Sequence, residues 1–140
     1  MKQNTILIAE DDENDIVLMQ HLFKTCKVLN PIQVVSDGEE AIAYLSGEGA
    51  FADRSRHPVP ALFLLDLKMI KKGGLEVLEW LQTQPRPAYP VIILTGMQDL
   101  SQMKEAYKLG AHSFLMKPLE KNEFLKLVSS FDRIQTEQTA

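Results

Sequence analysis

The chain has 140 residues, 45% of them hydrophobic, with 15 basic and 19 acidic side chains and a formal net charge of −4. That length and apolar content give one domain (1–140) whose core needs no disulfide or metal to hold it, and the absence of any block of like charges excludes the electrostatic footprint of a nucleic-acid binder. A single cysteine, Cys26, excludes an internal disulfide and fits a reducing compartment; no apolar run approaches the roughly 18 residues of a membrane span, and the few residues before the first apolar run are too short for a signal peptide, so a soluble cytoplasmic protein with no membrane or nucleic-acid partner is expected.

Residues 5–9 (TILIA) read as a buried strand. A helix follows over 12–26: Asp12 can cap it, Asp15 sits in the first turn, and Ile16, Met19, Phe23 and Cys26 recur at helical spacing. That spacing makes Cys26 a core residue rather than a nucleophile. Residues 31–35 are a second strand, and Asp37-Gly38-Glu39-Glu40 is a capping box opening a helix to Ser46. The next 14 residues, 47–60, are long for a helix-to-strand loop, which usually needs about 2–6. Their glycines and prolines, with Asp53, Arg54, Arg56 and His57, describe a surface excursion, either a tolerated insertion or a partner-binding loop.

Residues 61–65 (ALFLL) are the third and most apolar strand. A helix over 74–82 turns Leu75, Leu78 and Leu81 inward, and 90–94 is the fourth strand. Asp99-Leu100-Ser101-Gln102 is a second capping box, and the helix it opens stops at Gly110, a left-handed cap. Residues 112–116 are the fifth strand. The last helix, 119–131, places Phe124, Leu127, Val128 and Phe131 on one face. The packed part therefore spans 4–131, and the polar tail 136–140 is expected to fray. Strands alternating with helices imply an α/β fold with a parallel sheet covered on both faces.

Ligands of such sheets sit outside the carboxyl ends of the strands. There the sequence places Glu10-Asp11-Asp12, Asp66, Thr95-Gly96 and Lys117-Pro118. Two carboxylates about 5 Å apart repel by roughly 3 kcal/mol at an effective dielectric near 20. A cluster of Glu10, Asp11 and Asp66 therefore needs a cation, and magnesium fits oxygen donors that leave room for water and a phosphate. A carboxylate beside magnesium can also act as a nucleophile toward phosphorus. Asp66, alone at the end of the most buried strand, is the best candidate. Lys117 can meet a phosphoryl oxygen, Thr95 can hydrogen-bond another, and the Gly96 amide can approach closely.

In their order and spacing, ILIAEDD, LFLLDLKM, ILTG and FLMKP make the chain resemble the receiver domain of two-component response regulators, over roughly residues 4–131. The resemblance implies a doubly wound, flavodoxin-like fold with strand order 2-1-3-4-5. It implies that Asp66 accepts a phosphoryl group from a histidine kinase or a phosphotransfer protein. Mg2+ would be held by Asp11 directly, Glu10 through water, Asp66, and the backbone carbonyl of Lys68. Thr95 and Lys117 would contact the phosphoryl group, Lys117-Pro118 would be a cis peptide, and Phe114 stands at the aromatic switch position. Such a chain is a phosphoacceptor rather than an enzyme with a separate substrate. With one domain, its output would run through a downstream protein or a homodimer at the face of the fourth helix, fifth strand and fifth helix, where Leu100, Met103, Tyr107 and Leu125 are candidates.

Within the family, the segment EEAIAYLSGEGAFADRSRHPVPALFLLDLKM resembles stand-alone regulators paired with bacterial phytochromes. The chain departs from the family pattern at Ile70, usually proline, and at Gly73, often aspartate, so residues 71–74 are expected to form a more mobile loop. Lys68 and Met97 stand where the family tunes dephosphorylation. A flavodoxin-like cofactor binder is disfavoured because three carboxylates would repel a flavin phosphate. An aspartyl-phosphate phosphatase would need a second aspartate where Lys68 stands. The remaining alternative is a degenerate, non-phosphorylated receiver serving as an interaction module.

Overall fold

The computed structural model of the chain describes residues 4–85 and 89–137. Its apolar runs form β1 (Ile6–Ala9), β2 (Ile32–Val35), β3 (Leu62–Asp66), β4 (Val91–Thr95) and β5 (Ser113–Met116). The helices between and after them are α1 (Glu13–Thr25), α2 (Gly38–Ser46), α3 (Gly74–Gln82), α4 (Met103–Lys108) and α5 (Lys121–Ser129). All strand pairs are parallel, in the order β2-β1-β3-β4-β5. This is the doubly wound, flavodoxin-like receiver arrangement.

Alternation along the strands divides the core into two layers. Ile6, Ile8, Leu62, Leu64, Ile92 and Leu94 pack with Met19 and Phe23 of α1 and with Phe124 and Val128 of α5. Phe23 meets Phe124 edge to face at 4.8 Å between ring centroids. Cys26 lies in this layer, and its burial pushes the thiol up, away from reactivity. On the other face, Leu7, Ala9, Phe63, Leu65 and Ile93 pack against Tyr44, Val77, Leu78, Leu81 and Ala106. Every residue of β1, β3 and β4 is buried, as strands sandwiched between helices must be.

Two helix starts form as their sequences indicate. Asp12 accepts from the Asp15 amide at 3.1 Å, and Asp37 from the Glu40 amide at 2.7 Å. Glu40 in turn accepts from the Ser36 amide at 3.0 Å. The expected box at Asp99 does not cap a helix. Residues 97–102 wind as a 3-10 helix, α4 begins only at Met103, and the buried Asp99 carboxylate faces Lys68 Nζ at 3.9 Å. The Asp99 side chain lies near the exposed Lys68 ammonium and makes no helix cap. Gly110, at φ +106, does end that stretch in the left-handed region. The last helix starts at Lys121 rather than 119 because Glu120 caps it, accepting from the Glu123 amide at 2.8 Å, and it ends at Ser129.

One further expectation is corrected, at the tail, and two loops gain detail. The 47–60 segment does run over the surface, and one arginine anchors it. Arg54 turns inward and donates to the carbonyls of Tyr44 and Leu45, both at 2.7 Å, and of His57 at 2.9 Å. It thereby adds donors to carbonyls in the last turn of α2, where the Tyr44 carbonyl also accepts from the Gly47 amide, while the rings of Tyr44, Phe51 and His57 pack on one another. The tail does not fray at its start. Thr136 bridges Val28, the Gln135 carbonyl accepts from the Leu29 amide, and the Glu137 amide donates to the Lys27 carbonyl; residues 138–140 lie outside the described ones.

The 71–74 loop makes contacts with two other elements. The Ile70 amide donates to Asp11 Oδ2 at 3.1 Å, and the Glu39 amide to the Lys71 carbonyl at 3.1 Å. These contacts hold Lys71 and Lys72 at φ +46 and +70, a left-handed conformation costing roughly 1–2 kcal/mol per non-glycine residue.

Gly74 sets the distance between α3 and the end of β3. A Cβ there would lie 2.6 Å from the Asp66 carbonyl oxygen and 2.8 Å from Leu67 Cα. Gly74→Ala is expected to cost about 1–3 kcal/mol in urea unfolding, since backbone cannot step aside as a side chain can.

Candidate functional site: a carboxylate and lysine cleft at the strand ends

The same alternation that divides the core builds the site. Ile6, Ile8 and then Glu10 continue one face beyond β1; Leu62, Leu64 and Asp66 do so on β3; Leu115 and then Lys117 do so beyond β5. All three reactive side chains therefore emerge on the face covered by α1 and α5. The Glu10 amide pairs with the Val35 carbonyl at 3.0 Å and the Lys117 amide with the Thr95 carbonyl at 2.8 Å, so sheet hydrogen bonding fixes both backbones.

Lys117 Nζ is the hub. It donates to Glu10 Oε1 at 2.7 Å, Asp15 Oδ2 at 2.9 Å and Asp66 Oδ2 at 3.0 Å. An ammonium has three protons, so each finds a carboxylate. Burial works against the charged lysine, but these hydrogen bonds outweigh it and leave the ammonium more firmly protonated than usual. Glu10 is wholly buried, and that burial drives its carboxyl up to about 8, helped by contact with Asp66 and opposed by Lys117. Glu10 Oε2 accepts from the Asp12 amide at 3.2 Å, and Asp66 Oδ1 from the Lys68 amide at 3.2 Å.

Carboxylate oxygens of Glu10, Asp11 and Asp66 all lie within 4.8 Å of one another. The donors are hard oxygens at the floor of an open cleft of about 570 Å³, lined also by Asp15, Lys68, Gly96, Met97 and Asp99. Such a set fits a divalent cation that keeps part of its water shell. Nearby ligand chemistry for zinc is absent among these lining residues.

The other sequence candidates are placed as follows. The Lys117-Pro118 peptide is cis. Thr95 ends β4 on the opposite parity, with Ile93, and is buried; its hydroxyl donates to the Gly96 carbonyl at 3.1 Å rather than into the cleft. Phe114 is half-buried beside Ile93 on that same face. Of the residues suggested for an output face, Met103 is consumed by the core and Leu100 and Leu125 pack partly against it, whereas Tyr107 is exposed. Asp15 was readable in sequence only as a helix-dipole partner in the first turn of α1. Its place against Lys117, 102 residues away, needed the packing of α1 over the sheet. Among the described residues no helix is long and apolar enough to cross a membrane.

Comparison with known proteins agrees with this geometry. The family model of the response regulator receiver domain matches residues 6–129. Response regulator Rcp1 of Synechocystis sp. is 30% identical over 128 residues, covering 91% of this chain and 85% of that protein. Its Mn2+-bound crystal structure superimposes with a TM-score of 0.75, at 28% identity, over 96% of this chain and 99% of that one. The bacteriophytochrome response regulator RtBRR gives a TM-score of 0.84 at 33% identity, covering 99% of this chain and 84% of that one. The phosphorylated cyanobacterial phytochrome response regulator RcpA gives 0.75 at 32% identity, covering 92% and 91%. With a five-stranded sheet in receiver order and the acid-and-lysine cleft at its carboxyl edge, the chain belongs to the response regulator receiver domain family.

Proposed function

We propose that this chain is a phosphorylation switch in which Asp66 accepts a phosphoryl group from a phosphohistidine of a histidine kinase or phosphotransfer protein. The N–P bond of the donor breaks, an Asp66 Oδ–P bond forms, and the imidazole, protonated from solvent on its other ring nitrogen, leaves neutral. The observation that carries the reading is the convergence of Lys117 Nζ on Asp66 and Glu10 within a three-carboxylate cluster that also includes Asp11. Glu10, Asp11, Asp66 and the Lys68 backbone carbonyl would hold Mg2+, which when bound screens the carboxylates from an anionic donor. Lys117 neutralises phosphoryl charge from the other side. Thr95 turns its hydroxyl from the Gly96 carbonyl toward the phosphoryl oxygens. Phe114, on the same face, then fills the space that Thr95 leaves.

That change biases a pre-existing equilibrium at the α4–β5–α5 face, where Tyr107 offers exposed aromatic surface to a downstream protein or a second copy. The role is that of a cytoplasmic signalling protein rather than an enzyme acting on a separate substrate. The likeness to the bacteriophytochrome response regulator RtBRR and the cyanobacterial phytochrome response regulator RcpA supports a phytochrome-type kinase as the donor.

Incubation with acetyl phosphate, or with beryllofluoride, plus Mg2+ is expected to give one adduct by mass spectrometry or fluorine NMR. Asp66→Asn is expected to give none. Wild type without an adduct, or an undiminished adduct on Asp66→Asn, would sink the assignment. Light scattering that finds a monomer both with and without beryllofluoride counts against dimer output.

A further inference from the structure

We infer that Asp15 is a positioning residue for Lys117: it receives the ammonium when a divalent cation takes Glu10 and Asp66, and so makes cation binding and lysine retention compatible. The inference rests on reading Glu10, Asp11 and Asp66 as the cation site.

Without a divalent cation, Lys117 serves as the counter-ion of the cluster. Its three donors go to Glu10, Asp15 and Asp66 at 2.7, 2.9 and 3.0 Å. Two of those acceptors, Glu10 and Asp66, belong to the three-carboxylate cluster, whereas Asp15 does not. A divalent cation and an ammonium cannot share Glu10 and Asp66 at short range, because like charges about 4 Å apart repel by roughly 4 kcal/mol per unit-charge product at an effective dielectric near 20. One of them must give way.

If Lys117 left the cleft, its charge would be lost to the phosphoryl group. If it stayed with no acceptor, a half-buried ammonium would lose its hydrogen bonds. Asp15 removes the conflict. It sits in the first turn of α1, bonded to the lysine but outside the three-carboxylate cluster, and its side chain is 33% exposed, so it carries charge at modest desolvation cost. The elements that hold it are fixed: Asp12 caps α1 through the Asp15 amide, and α1 packs on the sheet through Met19 and Phe23. The Lys117 side chain is 22% exposed, so few waters are available to take the place of Asp15.

The test uses the full chain with Mn2+ alone as the probe, read by electron paramagnetic resonance. Asp15→Ala, Asp15→Asn and Asp15→Glu are made singly and with Lys117→Met. Asp15→Ala and Asp15→Asn are expected to weaken Mn2+ binding about tenfold, because Lys117 then competes undivided for Glu10 and Asp66, and Asp15→Glu to stay within about twofold. In the Lys117→Met background, Asp15→Ala is expected to change the affinity by less than about twofold, since Asp15 acts through the lysine. A second readout is the Lys117 ammonium signal in nitrogen-15 NMR. It should remain protected in Mg2+-saturated wild type and broaden away in Asp15→Ala.

Equal weakening by Asp15→Ala with and without Lys117 would make Asp15 a mere background charge and overturn the inference. So would Mn2+ affinity indifferent to Asp15, or a wild type that binds no Mn2+. A wild type that binds Mn2+ with the expected Asp15 dependence but forms no beryllofluoride adduct supports the inference while removing the proposed function.

Discussion

Lys117→Ala should destabilise the metal-free protein by about 3 kcal/mol near pH 7.5 in urea unfolding, and millimolar Mg2+ should restore most of that loss. The size follows from what the ammonium does. It is the partner of Glu10 and Asp66, which are 0% and 4% exposed, and removing one member of a buried ionic cluster leaves uncompensated charge. The loss is reduced because Glu10, with its carboxyl already pushed up to about 8, can answer by holding a proton. The cost should therefore be larger above pH 8, where Glu10 ionises, and smaller below it. A variant as stable as wild type without metal would show that the three short hydrogen bonds to Lys117 contribute nothing. Mn2+ should bind Lys117→Ala more tightly than wild type, because the ammonium no longer occupies the same oxygens, yet the beryllofluoride adduct should weaken for want of a cation beside it.

Glu10→Gln should stabilise the metal-free chain most at the alkaline end of the neutral range. Burial raises the Glu10 carboxyl from 4.5 to about 8. A carboxyl raised on folding contributes its stability below the unfolded value, and that contribution is lost as pH rises through the folded value. Wild-type stability without metal should thus fall between about pH 4.5 and pH 8. Glu10→Gln cannot ionise, so its profile should be flatter over that window and its stability higher by roughly 2–4 kcal/mol at pH 8. Mg2+ should flatten the wild-type profile and leave Glu10→Gln nearly unchanged. A wild-type curve level from pH 5 to pH 8 in chelator would refute the account. The stability gain would come with lost cation affinity, the usual exchange at a site built for binding.

Much of this protein can be read along the chain because its determinants are local. The 5–9, 61–65 and 90–94 runs declare buried strands by apolarity alone, and the polar residues that end them mark the carboxyl edge. Asp12 and Asp37 act as caps because a cap needs only its own next three residues. Asp99 shows where that logic stops: locally it is as good a cap, but Lys68 from another loop faces it instead. Arg54 shows the same on the insertion, where α2 carbonyls close in space outweigh a composition that reads as exposed.

The sheet, its two covered faces, and the placing of Glu10, Asp11, Asp66 and Lys117 at its edge are legible along the chain, because period-two alternation and strand-end position are properties of short segments. Packing between distant elements brings Asp15 into the lysine's shell, turns Thr95 away from the cleft, and leaves Lys71 and Lys72 in the left-handed region. Each of these depends on the approach of one element to another distant in sequence, and packing sets that distance where no local propensity can.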